Sequence, residues 1–261
     1  MAVNKMSSIP FSGTRQKHRT SDKLIFISCE GCVTEEEYFA LVSKWFPNTK
    51  SKIHFVSVRE DLISIPPSLR TQDQTDELNL SDPQQLVDKI TQFKQDPAKI
   101  NKYEFNEHPE DEFWIVADVD KHTEHGRNLT NWNNALSECK TRGYSYAVSN
   151  PFFELWLLLH HDEAKVDITD NDNDIRWAVT ASHAYESTDH FRNRLSNLGV
   201  GLSKKKHINP SHYSKEKVNL AIMRAKAMDT EPPCDYPDDL GTTVYRLLEK
   251  IADIDAQYEN N

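Results

Sequence analysis

Glycine is scarce in this chain of 261 residues, at only 7 positions, and neither a G-x-x-x-x-G-K-[ST] nor a G-x-G-x-x-G pattern occurs. Such glycines let a backbone loop wrap around nucleotide phosphates, so a phosphate-cradling nucleotide loop is not expected in this sequence. Long apolar runs are missing as well. The longest, residues 151–159, is interrupted by Glu154 and is far shorter than the ~20 residues that span a bilayer. We therefore expect a cytoplasmic protein with no membrane partner.

Cysteine is also rare, with four residues, which is too few for a disulfide scaffold in a chain of this size. Cys29 and Cys32 form a C-x-x-C motif, which could indicate a redox site with a lowered thiol pKa, or half of a zinc site. No second cysteine pair completes a zinc site, and His207, His212 and Cys234 could contribute only if the fold brought them close.

Positive charge is in deficit, because the formal net charge is -10. A general nucleic-acid coat protein would be basic. A nuclease is not excluded, since metal ions neutralise an acidic site and basic residues cluster locally. One cluster lies in a polar loop, where it is either a solvated charge run or a patch that contacts nucleic-acid phosphate; its members are Lys204, Lys205 and Lys206.

The order of apolar runs and helical patterns predicts an α/β fold. Residues 1–22 are polar and basic and indicate a flexible leader. Short apolar runs predict buried strands at 24–29, 52–58, 113–117 and 144–148. Helical patterns follow these strands and imply a mostly parallel sheet with helices on both faces. We expect this sheet domain to span 23–162, and a helical C-terminal extension, 163–261, to pack on it with helices near 172–183, 188–198, 213–228 and 241–255.

Three helix boundaries have specific signals. Thr34 and Glu37 fit a capping box at the start of the first helix. Gly143 is placed to close the helix that precedes the fourth strand. Asn150, directly before Pro151, could cap the helix that follows, or could contact phosphate or a ligand water.

Acidic residues follow two of the predicted strands. Glu30 comes directly after the first strand, and Asp118 and Asp120 come directly after the third. The carboxyl ends of neighbouring parallel strands meet at one rim, so we expect these three side chains to meet there. Their repulsion calls for a cation, and a site of carboxylates alone suits Mg²⁺ or Mn²⁺. The alternative is that each is a helix cap or a solvated loop residue.

Four segments carry a resemblance to a known family. They are Cys29-Glu30-Gly31-x-x-Thr34-Glu35 followed by Tyr38-Phe39, then Asp118-Val119-Asp120, then Ser149-Asn150-Pro151-x-Phe153-Glu154-x-Trp156, and finally Gly241-Thr242-Thr243-Val244-Tyr245. They resemble the RloB family of bacterial defence proteins, which is itself similar to Toprim domains. The sequence departs from the commonest family pattern at Cys32, where a polar residue is more usual.

The resemblance implies a Toprim-like sheet in which Glu30, Asp118 and Asp120 bind Mg²⁺. Glu35 is similar to the second acid of Toprim nucleases, although it could instead complement the positive end of its helix. Glu154 lies in an apolar stretch, where a carboxylate needs a partner. It could be a further ligand or general base, or it could pair with an arginine.

These observations together predict a metal-dependent nuclease that cleaves phosphodiester bonds of RNA, with tRNA a candidate, or of DNA. The family resemblance implies the toxic effector of an anti-phage abortive-infection system. It further implies a partner ATPase of the ABC or overcoming-lysogenization (OLD) type. Two alternatives stay open: a non-catalytic metal-binding sensor or inhibitor subunit of a defence complex, and a redox enzyme.

Overall fold

The structure is a computed structural model, and it describes residues 23–31, 33–49, 52–56, 82–119, 127–161, 184–202, 207–229, 235–237 and 240–259. Several predicted features lie outside these described residues. They are the leader at 1–22, the helix near 172–183, Cys32, Asp120, the three lysines Lys204, Lys205 and Lys206, and Cys234.

Five strands form one sheet. They are β1 (Ile25–Cys29), β2 (Ile53–Phe55), β3 (Glu112–Asp118), β4 (Ser145–Asn150) and β5 (Gly241–Thr242). The order in the sheet is β2-β1-β3-β4-β5; β1 to β4 run parallel, and β5 pairs antiparallel with β4. The predicted mostly parallel α/β sheet is confirmed, and the arrangement is consistent with a Toprim-like fold.

Helices flank the sheet and make up most of the described C-terminal part, as predicted. They are α1 (Thr34–Trp45), α2 (Pro83–Gln95), α3 (Pro97–Tyr103), α4 (Arg127–Arg142), α5 (Phe153–Leu158), α6 (Ala184–Asn197), α7 (Lys215–Met228) and α8 (Val244–Glu259), with 3-10 turns at Pro47–Thr49 and Pro210–His212. Across the described ranges, no helix combines the length and the apolar composition that crossing a bilayer requires.

The sheet separates two hydrophobic cores because successive side chains of a strand point to opposite faces. The α1 face is covered by α1, α5, α6, α7 and α8, and its sheet residues include Ile25, Ile27, Trp114, Val116 and Ala147. The α2 face is covered by α2, α3 and α4, and its sheet residues include Phe26, Phe113, Ile115, Ala117 and Val148. Asp118 continues the alternation of Trp114 and Val116, and this places its side chain on the α1 face.

Asp-Pro pairs start two consecutive helices on the α2 face. Asp82 caps α2 through a hydrogen bond from Gln84 N (2.7 Å) and forms a capping box with Gln85. Asp96 caps α3 in the same way, with Ala98 N at 2.8 Å. Proline suits the first helical position because its missing N–H would have no partner there. The helix at residues 97–103 was not predicted, although it has the same Asp-Pro dipeptide signal as α2.

Three predicted helix starts are wrong. The N-cap of α1 is Val33 rather than Thr34, and Glu37 accepts a hydrogen bond from Ile208 N (2.9 Å) instead of closing a capping box. Asn150 does not cap α5, which begins at Phe153 after an uncapped N-terminal position. The helix predicted from residue 241 begins at 244, because residues 241–242 form β5 at the edge of the sheet.

A buried aspartate joins the beginning of the described chain to its end. Asp255 of α8 is 2% exposed and accepts a hydrogen bond from Asn48 N at 2.9 Å, across 207 residues of sequence. Its other oxygen lies 3.7 Å from Lys215 Nζ of α7. The last described helix is thereby fixed to the turn that follows α1.

Candidate metal-binding site

Glu30 and Asp118 lie together at the carboxyl ends of β1 and β3. The two strands are paired in parallel, with Cys29 opposite Val116, and the ladder continues as Glu30 N donates to Val116 O at 2.9 Å. Beyond that point the Glu30 side chain turns across to β3, where its Oε2 accepts a hydrogen bond from Asp118 N at 2.9 Å. The structure therefore brings these two predicted acids to one rim of the sheet.

The rim extends from Asp118 to the end of β4. Asp118 is paired with Ser149, and Val119 N donates to Ser149 O at 2.8 Å. Asp118 as a whole residue is only half-buried. Asp120 follows Val119 in the chain and lies outside the described residues, so its place at this rim stays a prediction.

The carboxylate of Glu35 packs directly against the loop that begins with Glu30. Glu35 lies in the first turn of α1 and is 7% exposed. A methyl group built on Gly31 would lie 1.9 Å from Oε2 of Glu35, far closer than two non-bonded atoms can approach, so the Glu35 side chain would have to shift. Glycine at position 31 is what allows this acid to approach the loop so closely.

Replacing Gly31 by alanine is expected to lower the free energy of unfolding by about 1 kcal/mol, because the flexible end of the buried Glu35 side chain must move out of its packed position. Urea denaturation measures this cost. In a Glu35→Ala background the clashing carboxylate is gone, so the added cost of Gly31→Ala should fall close to zero, and the two changes should be non-additive. An equal cost in both backgrounds would show that the contact is not what constrains position 31.

Glu154 is paired with an arginine. It lies in the first turn of α5, is 6% exposed, and its Oε1 accepts a hydrogen bond from Arg192 Nε of α6 at 2.9 Å. The predicted pairing of Glu154 with an arginine is therefore present in the described residues. A role of Glu154 as a metal ligand or general base stays a prediction. Arg192 was missed by the sequence analysis because it lies 38 residues away and belongs to no motif.

The Ser-Asn-Pro and Gly-Thr-Thr motifs join β5 to the end of β4. Ser149 Oγ lies 2.9 Å from Thr242 Oγ1, and Thr243 Oγ1 accepts a hydrogen bond from the backbone of β4 at 2.9 Å. Asn150 is 9% exposed, and its Nδ2 donates to Pro237 O at 2.9 Å. These hydrogen bonds hold the edge strand in place. A contact of the Asn150 amide with phosphate, as predicted, would compete with its hydrogen bond to Pro237 O.

Cys29 does not have the environment of a redox cysteine. Removal from water, together with the nearby carboxylates of Glu35 and Glu36, raises the pKa of the Cys29 thiol well above its ordinary value. A redox or nucleophilic cysteine needs the opposite shift. The raised pKa disfavours the redox alternative at Cys29, the half of the C-x-x-C motif that the structure describes.

The donor set at the rim fits a hard divalent cation. Within the ranges that the structure describes, no three His, Cys, Asp or Glu side chains are grouped so that they could hold a metal ion. Glu30 and Asp118 nevertheless supply two carboxylates, and Mg²⁺ is commonly bound through one or two carboxylates with waters and substrate oxygens completing its shell. Asp120 would add a third oxygen ligand if it lies where the sequence predicts.

Comparisons with known proteins add one finding. A search of curated proteins and a search of solved structures each returned no match. The family model described as RloB-like protein matches residues 25–251, which is most of the chain and includes Glu30, Asp118 and Glu154. On this match, and on the motifs that the α/β fold brings to one rim, the chain belongs to the RloB-like family.

Proposed function

We propose that this chain is a metal-dependent nuclease that cleaves phosphodiester bonds with Mg²⁺ or Mn²⁺. Glu30 and Asp118, with Asp120 as the predicted third ligand, would hold the ion. The observation that carries this proposal is the hydrogen bond from Asp118 N to Glu30 Oε2 at 2.9 Å, which joins acids from two strands at one rim. Carboxylates at the ends of two adjacent strands repel each other, and a cation between or beside them would offset that cost.

The residues around the ion have separate tasks in this proposal. The Asp118 backbone N–H fixes the direction of the Glu30 carboxylate, so that the ligand does not have to be ordered when the ion binds. Glu35, packed against Gly31, would support a second ion or accept a proton from the attacking water. The metal would lower the pKa of a bound water and neutralise charge on the phosphate oxygens.

The substrate in this proposal is a nucleic acid, and we favour RNA, tRNA included, over DNA. We further propose that the activity is the toxic effector of an anti-phage abortive-infection system. Membership of the RloB-like family supports this role. An ATPase of the ABC or OLD type would be the partner, since the sequence itself has no G-x-x-x-x-G-K-[ST] motif with which to bind a nucleotide.

The test is to incubate the purified protein with Mg²⁺ or Mn²⁺ and, separately, total tRNA, single-stranded DNA and plasmid. Cleavage of at least one substrate is expected, and it should stop when EDTA removes the metal. The same reactions are repeated with the ATPase partner present. If no substrate is cut in either series, the nuclease proposal is wrong, and tight co-purification with the ATPase would then favour a non-catalytic sensor or inhibitor subunit.

A further inference from the structure

We propose that Arg192 binds a backbone phosphate of the nucleic-acid substrate, and that Glu154 is the positioning residue that orients its guanidinium group. This inference rests on the proposed function and deepens it. It assigns to Arg192 the kind of phosphate contact that the sequence predicts for Lys204, Lys205 and Lys206. It also gives Glu154 a task other than metal binding or proton transfer.

The pair lies beside β4, the strand that neighbours the one carrying Asp118. β4 ends at Asn150, and α5 begins three residues later, so Glu154 in its first turn stays close to the carboxyl end of that strand. The last residues of β4 are in register with Asp118. Arg192 contacts Glu154 from α6, which packs beside α5 over the α1 face of the sheet.

The geometry of the pair leaves part of the arginine available. Glu154 is engaged only at the guanidinium Nε, and in the part of the chain that the structure describes the two terminal nitrogens, Nη1 and Nη2, make no hydrogen bond. The acid is buried, with 8% of its side chain exposed, whereas 36% of the Arg192 side chain is exposed. A buried carboxylate therefore holds the inner edge of the group while its outer edge faces solvent.

An outward-facing pair of N–H donors matches the oxygens of a phosphodiester. The planar guanidinium can donate two parallel hydrogen bonds to phosphate, and an arginine whose orientation is already fixed loses little entropy on binding. Fixed positive charge is also needed at this rim. Glu30, Glu35 and Asp118 would repel a polyanion, and contacts of this kind position the backbone without reading the base sequence.

The test is a paired substitution that keeps the net charge of the protein. Glu154→Gln with Arg192→Gln removes one negative and one positive charge, and the two amides can still hydrogen-bond, so no buried charge is left unpaired. The matched control is Glu138→Gln with Arg142→Gln. That ion pair also joins Arg Nε to Glu Oε1, at 2.6 Å, but lies at the end of α4 next to the start of β4, away from the rim.

Binding of labelled single-stranded RNA and DNA is measured by fluorescence anisotropy, with Ca²⁺ in place of Mg²⁺, over a series of salt concentrations. For Glu154→Gln with Arg192→Gln we expect about a tenfold loss of affinity, the size of one charge-assisted hydrogen bond. The slope of log K against log salt should become shallower by about 0.7, which corresponds to one phosphate contact on a single strand. The control variant, Glu138→Gln with Arg142→Gln, should have the same affinity and the same slope as the unsubstituted protein.

Two further outcomes separate this inference from the function on which it rests. If the unsubstituted protein binds neither nucleic acid, the proposed function fails and the inference fails with it. If it binds and the slope is the same in both paired variants, Arg192 makes no phosphate contact and only the inference is overturned. Arg192→Lys provides a check against misfolding, because lysine keeps the charge and should retain the slope while losing part of the affinity that the planar group provides.

Discussion

Replacing Asp118 by asparagine is expected to reduce metal-dependent cleavage by roughly 10²–10⁴-fold, because a metal-centred site contributes several kcal/mol to transition-state stabilisation. Asparagine has almost the same shape as aspartate, but it lacks the charge that holds a divalent ion. The backbone hydrogen bond from residue 118 to Glu30 does not involve the substituted side chain. The fold should therefore survive, and removal of one of two neighbouring negative charges should leave the thermal midpoint equal or slightly higher.

Cleavage rates at saturating and at limiting Mg²⁺ measure the effect, and a Glu30→Gln variant should show a loss of similar size. Asp88→Asn is the charge-matched control, because Asp88 is an exposed carboxylate on α2 whose side chain contacts Gln84. Cys29→Ser separates this site from a redox enzyme and should retain cleavage. Full activity of Asp118→Asn, or loss of activity only in Cys29→Ser, would refute the assignment of the site.

Replacing Phe26 by alanine is expected to lower the free energy of unfolding by about 3–5 kcal/mol, the usual cost of removing a fully buried phenylalanine. Phe26 lies in β1 on the α2 face, with no exposed surface. Its ring centroid is 4.9–5.5 Å from those of four other aromatic residues, namely Phe93, Tyr103, Phe105 and Phe113. Alanine would leave a cavity that four large, mutually packed rings cannot easily fill.

Urea denaturation followed by tryptophan fluorescence measures this loss. Met223→Ala is the control, since Met223 is 65% exposed and its truncation should change stability by less than about 0.5 kcal/mol. Phe26→Leu should fall between the two, because leucine retains much of the buried volume. If Phe26→Ala lowers the free energy of unfolding by less than about 1 kcal/mol, as expected for a partly exposed residue, this aromatic cluster is not a stabilising core.

The sequence was sufficient to predict the parallel sheet, because its strands are short apolar runs separated by helical patterns. β5 could not be recognised in this way. Two residues are too few to show a period, and Gly241 and Thr242 form a strand only because the end of β4 offers unpaired backbone groups. The start of α1 was misplaced by one residue, since Glu37 contacts Ile208, a partner 171 residues away, instead of closing a local cap.

The part of the candidate site that lies at the ends of strands could be predicted from the sequence. Glu30 and Asp118 were expected to approach because each directly follows a strand, and a parallel sheet aligns such positions. The partner of Glu154 was beyond prediction, since the pairing depends on how α6 packs against α5 and no local pattern encodes that contact. Long-range side-chain pairs of this kind follow from packing of the whole chain.

The contact between Asp255 and Asn48 has a consequence for how the protein folds. Because the last described helix packs in the same core as α1, the sheet region and the C-terminal region share one hydrophobic interior. A core that needs contacts across 207 residues forms late, after a large loss of loop entropy. The two regions should therefore melt in a single cooperative transition, and a chain cut before α8 would expose part of the α1 face and be prone to aggregate.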